Sequence, residues 1–374
     1  MDQRTRFALA YQDGLYSMTE LCQRFSVSRK TGYKWLQRYC AQGLDGLKEQ
    51  SRAPKRCPHK TPKAVEDLLL ETRRKHPRWG PRKLLDYLRP RHPDVSLPAA
   101  STVGALLKRQ GLVQGKRRRR KTRHPGAVSL VTTAENQVWG ADFKGEFRMQ
   151  NSVYCYPLTI TDAHSRYLLA CQGLPSTKQS GVFEVFEGLF KEVGLPEAIR
   201  TDNGNPFATQ ALCGLSRLNV WWIKLGIAHQ RIEPGQPKQN GRHERMHRTL
   251  KAETTRPPEQ EMIAQQRRFD AFRAEFNQER PHEALGGVVP ASVYTPSERV
   301  MPDKLPEPAY PGHYEVRWVS KAGTFRLKHH QLFLSTALWH EWIGLEEVAD
   351  GVWSVYFYDM LLARLDERTW KLYP

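Results

Sequence analysis

The sequence has little of what would place it in a membrane or outside the cell. No stretch approaches the ~18 consecutive apolar residues of a spanning helix, and the opening MDQRTRFALAYQDGL carries no apolar signal-peptide core. A soluble, cytoplasmic and nucleoid-associated protein without a membrane partner is the expectation. Cysteine is sparse: Cys22, Cys40, Cys57, Cys155, Cys171 and Cys213 are scattered, with no C-x-x-C pair. This argues against a zinc ribbon or a secreted disulfide framework and leaves the thiols as reduced packing groups. The histidine pairs His243 with His247 and His329-His330 have no cysteine or carboxylate pair at zinc spacing, so they read as polar surface residues. Acidic residues are also in deficit, 39 against 58 lysines and arginines, for a formal net charge of +19. Such an excess favours a polyanion, since each neutralised phosphate releases condensed counterions. Nucleic acid is the first candidate.

The 374 residues leave room for two to four domains at roughly 100–200 residues each. Residues 1–50 read as a helix-turn-helix unit, with one helix over Ser17–Phe25 and a second capped by Ser28. Leu21, Phe25, Val27, Trp35, Leu36 and Tyr39 supply its apolar seam, and Arg29, Lys30 and Lys34 stay exposed near the start of the second helix. That is where a recognition helix meets base edges; an ordinary helical hairpin with a solvated basic face is the alternative. A second helix-turn-helix-like unit is expected over 60–115, broken at Pro77-Arg-Trp-Gly-Pro81. Residues 116–132 begin with Lys116-Arg117-Arg118-Arg119-Arg120-Lys-Thr-Arg123, a run too charged to fold alone. It is expected to lie along DNA backbone; a solvated tether or a nuclear-localisation patch is the alternative.

From Asn136 the texture becomes strand-like. Runs over 137–147, 153–160 and 166–171 predict an antiparallel meander, Thr177–Val193 a helix closed by Gly194, and Ala198–Thr201 a short buried strand. The alternation that follows predicts a mixed α/β sheet over 133–298. The tail over 310–374, rich in short Trp, Tyr and Val runs, predicts a small β-barrel. Asp142 lies within the apolar run Val138–Phe143, where an ionised carboxylate needs a compensating partner, either a basic side chain or a metal ion. Asp202 opens Asp-Asn-Gly-Asn-Pro at the C-terminal end of a strand, both a good turn and a place where ligands gather in such folds. Glu244 sits where a loop becomes a helix; at 100° per residue Arg248 and Lys251 fall within about 40° of it, while Met246 and Leu250 turn toward a core. A weak Glu244–Arg248 surface pair is the plain alternative. Three carboxylates on different elements can converge on two Mg²⁺ ions, with Mn²⁺ as a substitute, for phosphoryl transfer.

Taken together, Trp139-Gly-Ala-Asp142-Phe143, Thr201-Asp202-Asn203-Gly204, Gly235-Gln-Pro-Lys-Gln-Asn240-Gly241, Glu244, Lys251 and Asn277-Gln-Glu-Arg280-Pro281-His282 resemble the DDE transposases of bacterial insertion sequences. Those enzymes are related to retroviral integrases and share a ribonuclease H-like core. The resemblance covers about residues 136–296 strongly and the helical N-terminal units less so. It implies Asp142, Asp202 and Glu244 as the metal-binding catalytic triad, and Lys251 as a basic residue that grips the element's end. It also implies partners: double-stranded DNA as terminal repeats and as target, with at least a dimer of this chain assembled on it. Two departures stand out. Asp202 and Glu244 lie 42 positions apart, which implies extra residues around Leu215–Lys224. The zinc-binding N-terminal domain of retroviral integrases is replaced by the helical units.

Overall fold

Two serines set helix starts near the N-terminus. Ser17 accepts from the Glu20 amide while Glu20 accepts from the Ser17 amide, a reciprocal cap; Ser28 accepts from the Thr31 amide at 3.2 Å. They open α2 (Met18–Arg24) and α3 (Arg29–Gln42), which follow α1 (Gln3–Gln12). Only Phe7 and Ala8 of α1 are buried, too weak a stripe to mark a helix in the sequence. Phe7 nevertheless anchors the small core, edge-on to Phe25 and Trp35 at 5.4 and 5.5 Å.

The structure is a computed structural model that describes residues 2–49, 60–113, 132–209, 214–233 and 241–373. The run Lys116–Arg123, with Arg117, Arg118, Arg119 and Arg120, lies outside the described residues, as do Cys57, Cys213 and the stretch Gly235–Asn240. The chain forms two compact units, Met1–Pro62 and Lys63–Pro374. Within the second, α4 (Lys63–Lys75), α5 (Pro81–Leu88) and α6 (Ala100–Arg109) close around Leu69, Trp79, Leu84, Val103 and Leu107. This helical group is joined to the rest of its unit by polar contacts. Lys83 Nζ donates to the Pro281 carbonyl at 2.8 Å and Arg78 to the Ala252 carbonyl at 2.9 Å. His76 lies 3.5 and 3.6 Å from the carboxylates of Glu275 and Glu279.

The central sheet has strands β1 (Val138–Phe143), β2 (Phe147–Arg148), β3 (Tyr154–Asp162), β4 (Leu168–Leu174), β5 (Ala198–Thr201) and β6 (Ala228–Arg231). β3 runs antiparallel to β1, while β5 is parallel to β1 and β6 parallel to β5, so the sheet is mixed. Period-two alternation divides its faces. Trp139, Ala141, Leu158, Ile160 and Ile199 pack against α7 (Gln179–Val193) and α8 (Arg217–Lys224). The opposite face is covered by α9 (Gly241–Thr254) and α10 (Met262–Ala274), whose Met246, Leu250, Phe269 and Phe272 pack on Leu168 and Cys171. The stretch near Leu215–Lys224 carries α8, with Trp222 fully buried in the core.

The C-terminal segment corrects one expectation. Its strands β7 (Glu315–Trp318), β8 (Thr324–Leu327), β9 (His330–Phe333), β10 (Trp342–Ala349), β11 (Val352–Phe357), β12 (Met360–Asp366) and β13 (Lys371–Tyr373) do form. Their pairing is an open five-stranded sheet, β13-β12-β11-β10-β7, beside a separate β8–β9 hairpin. Among the described residues no ladder joins β7 to β13, so a closed barrel is not formed. The hairpin and the sheet share one apolar core, including Phe325, Leu345 and Phe357, and it reaches Leu215 and Val220 beside and on α8.

Candidate active site

Strand order sets the first two carboxylates on, or just after, neighbouring strands. Asp142 pairs with Thr159 across β1–β3, and Gly140 pairs with Arg200 across β1–β5. Asp202 stands two residues beyond Arg200, just past the strand end. Paired residues share a face, so Thr159 and Asp142 stand side by side on the face that α9 covers, while Asp202 follows the end of the strand next to β1. Asp202 Oδ1 accepts from the Gly204 amide at 3.1 Å, an Asx turn that holds the carboxylate. A Cβ at Gly204 would stand 3.2 Å from Asp202 Oδ2, so a side chain there would require the carboxylate to shift by a few tenths of an ångström. Asn203 donates to the Ile232 carbonyl at 2.8 Å and ties the turn to the residue after β6.

Helix α9 carries the third carboxylate on a sharply divided surface. His243, Met246, His247, Leu250 and Thr254 are buried, whereas Glu244, Arg248 and Lys251 are exposed. The expectation that His243 and His247 are surface residues is therefore wrong: they are 3% and 6% exposed. Helical spacing puts i and i+4 on one flank, and that flank docks on the row of small hydroxyls from β3. Thr159 Oγ1 lies 2.6 Å from His243 Nε2, 2.7 Å from His247 Nε2 and 3.1 Å from the Asp142 carbonyl oxygen. Thr161 Oγ1 lies 3.2 Å from His243 Nδ1, and His247 Nδ1 lies 3.8 Å from Asp142 Oδ2. Burial drives the pKa of His243 down to about 3 and that of His247 to about 2, the latter helped by His243 and Lys144. Both rings are thus neutral near pH 7. Gly140 makes the close approach possible, because a Cβ there would meet His243 Nδ1 at 3.2 Å and Thr161 Oγ1 at 3.5 Å.

Asp142, 17% exposed at its side chain, is the acidic member of one group with His243 and His247 whose ligand atoms all lie within 4.8 Å of one another. Both Nε2 atoms in that group face the Thr159 hydroxyl, so it is a poor cage for a hard cation. Asp202 and Glu244 stand outside it. Beside α9 a cleft of about 460 Å³ is lined by Lys144, Glu244, His247, Arg248, Lys251, Ala252 and Arg256. Four cations and one carboxylate make it a site for anionic groups. Burial, then Lys251, lowers the pKa of Lys144, while Asp142 opposes the shift.

Arg248 and Lys251 are therefore brought together with Glu244, as their helical spacing requires. Arg29, Lys30 and Lys34 are exposed at the start of α3, and Arg29 donates to the Thr19 hydroxyl. Sequence reasoning does not single out Lys144, Arg256, Thr159 or the two histidines as site residues. The available signals are Lys144 two residues after Asp142, and the histidines one before and three after Glu244. Cys22, Cys155 and Cys171 are buried thiols as expected, but Cys40 is exposed.

Residues 132–237 and 225–290 match integrase core domains. A helix-turn-helix domain matches residues 3–55 and a homeodomain-like domain residues 31–107. An insertion element IS476 protein of Xanthomonas euvesicatoria is 27% identical over 297 residues, 78% of this chain and 82% of that protein. An insertion element IS407 protein of Burkholderia multivorans is 26% identical over 50% of this chain and 65% of its own length. Residues 132–290 of this chain thus form an integrase core domain, and the chain as a whole is similar to proteins of insertion elements. The chain is also 31% identical to the Gag-Pol polyprotein of baboon endogenous virus over 136 residues, which is 36% of this chain and 7% of the polyprotein. Among solved structures, the magnesium complex of the HTLV-2 integrase catalytic core is 14% identical and aligns with 43% of this chain and 97% of its own, at a TM-score of 0.34. As an enzyme, the chain is a polynucleotidyl transferase by its integrase core. No helix among the described residues is long and apolar enough to cross a membrane.

Proposed function

We propose that this chain is a transposase that binds the terminal repeats of its insertion sequence and joins them to target DNA by Mg²⁺-dependent phosphoryl transfer at Asp142, Asp202 and Glu244. One observation carries the reading: Asp142 lies on β1 and Asp202 follows the end of its parallel neighbour β5, and helix α9, packed on Thr159 beside Asp142, presents Glu244 to a cation-lined cleft. The donor chemistry fits a hard cation, because carboxylate oxygens suit Mg²⁺ and the nearby imidazole Nε2 atoms are already engaged. Two such ions, with Mn²⁺ as a substitute, supply charge stabilisation at the attacking and leaving oxygens of an in-line displacement. The chain's own part is positional. Lys144, Arg248, Lys251 and Arg256 hold DNA phosphates, Arg29, Lys30 and Lys34 read base edges, and Arg117–Arg120 track backbone. Joining two ends calls for at least a dimer on DNA.

The test uses Asp142→Asn, Asp202→Asn and Glu244→Gln, which remove charge and keep shape. Each is expected to abolish cleavage and strand transfer of labelled ends in Mg²⁺, without additivity in combination, while end-specific binding survives. Full activity in any one variant, or inactivity accompanied by unfolding in a thermal melt, removes that residue from the triad.

A further inference from the structure

We propose that His247 and His243 are positioning residues, joined through Thr159 into a hydrogen-bonded relay that runs from β3 to Asp142 and fixes how the Asp142 carboxylate and the Glu244 helix face each other. The inference rests on the catalytic reading of Asp142 and Glu244 above. Protons at Thr159 are too few for its neighbours to be placed at will. Its hydroxyl has one hydrogen and two acceptor lone pairs, yet it meets three groups: His243 Nε2 at 2.6 Å, His247 Nε2 at 2.7 Å and the Asp142 carbonyl at 3.1 Å.

If the hydroxyl donated to the carbonyl, both imidazoles would have to be Nε2–H tautomers donating to Thr159. His247 would then turn the bare lone pair of Nδ1 toward the carboxylate oxygen 3.8 Å away, an electrostatic conflict in a buried place. Donation to His243 Nε2 would leave His247 in the same conflict, so the arrangement that remains is donation to His247, which gives each ring nitrogen a compatible neighbour in one direction. Thr161 donates to His243 Nδ1, His243 Nε2–H donates to Thr159, Thr159 donates to His247 Nε2, and His247 Nδ1–H is directed at Asp142 Oδ2. The two shortest contacts are the ones used. At 3.8 Å the last step is an oriented dipole rather than a hydrogen bond, and it favours one orientation of the Asp142 carboxylate. The same contacts pin the buried flank of α9, one residue from Glu244 on one side and three on the other.

Such support of a ligating carboxylate is a frequent determinant of metal affinity. It also gives a reason for two histidines that the cleft does not need as cations.

The wild-type full chain labelled with ¹⁵N-histidine, free of metal, gives the direct test, with signals assigned by their loss in His243→Gln and His247→Gln. The expected result is opposite tautomers: Nε2–H on His243 and Nδ1–H on His247. Nε2–H on both rings overturns the relay whatever the enzyme's activity. The second arm titrates Mn²⁺, read by water-proton relaxation. Thr159→Val should weaken binding about 10–100-fold, and Thr159→Ser, which restores the hydroxyl, should return it to within about twofold of wild type. Equal affinity in wild type and Thr159→Val overturns the positioning role. Failure of the catalytic reading looks different: Mn²⁺ binding would then be unchanged in Asp142→Asn even with the tautomers as inferred.

Discussion

Gly140→Ala separates the position of α9 from the stability of the fold. The added Cβ would stand 3.2 Å from His243 Nδ1 and 3.5 Å from Thr161 Oγ1, against an ordinary separation of about 3.5–4 Å. The helix must therefore retreat by a few tenths of an ångström. Two energies oppose each other. Overfilling a packed site costs about 1–3 kcal/mol, whereas replacing a strand glycine by alanine recovers about 0.5–1 kcal/mol of backbone entropy. The net is a loss of about 0–2.5 kcal/mol. At about 2–4 °C per kcal/mol for a domain of this size, the melting temperature should fall by under about 10 °C. Chemistry should suffer more. Glu244 moves with α9, and since about 1 Å of misplacement can cost 10²-fold in rate, a shift of a few tenths should cost several-fold to about tenfold. The assays are a thermal melt and single-turnover strand transfer on a precleaved end at saturating Mg²⁺. Wild-type strand transfer in a normally folded variant would show that the spacing between α9 and the sheet does not set catalytic geometry. A melting temperature lowered much further would show that packing alone explains the loss.

Other expectations follow from the charged groups. Replacing Arg248, Lys251 and Arg256 with glutamine should flatten the slope of log affinity against log salt by up to about 0.9 for every phosphate no longer neutralised, and an unchanged slope in DNA titrations would remove the cleft from DNA binding. Alanine at Arg29, Lys30 and Lys34 together should weaken binding to terminal DNA, with each base-edge interaction worth about 1–3 kcal/mol; identical footprints would misplace the recognition helix. Lys83 has its pKa lowered to about 8, first by burial and then by Arg280. Because the unfolded chain keeps that proton to higher pH, stability should rise as pH goes from about 8 toward 10.5, and a denaturant series should find this gain missing in Lys83→Met.

How much was legible in the sequence depended on whether a local pattern decided the outcome. The cap at Ser28, the strand around Asp142 and the helix that carries Glu244 are written in short-range spacing, and they appear where expected. Helix α1 was hidden because a single aromatic, Phe7, supplies most of its burial. The roles of His243 and His247 were hidden for another reason. Their burial depends on Thr159, more than eighty positions away, and on Gly140 leaving room, neither of which a helical wheel records. The C-terminal strands follow from their alternation, but closure depends on whether two edges meet, a property of tertiary geometry that strand patterns do not carry.

The helices α4, α5 and α6 share one compact unit with the catalytic sheet, joined to it through Lys83, Arg78 and His76. A duplex resting on them would be gauged as by the fixed jaw of a calliper. The interval between a bound base pair and the carboxylates would then be a length set by folded protein, and not by the reach of a tether. Lengthening the connection at Lys60–Pro62 would leave that interval unchanged, whereas any substitution that loosens the seam at Lys83 would blur the position of the cut.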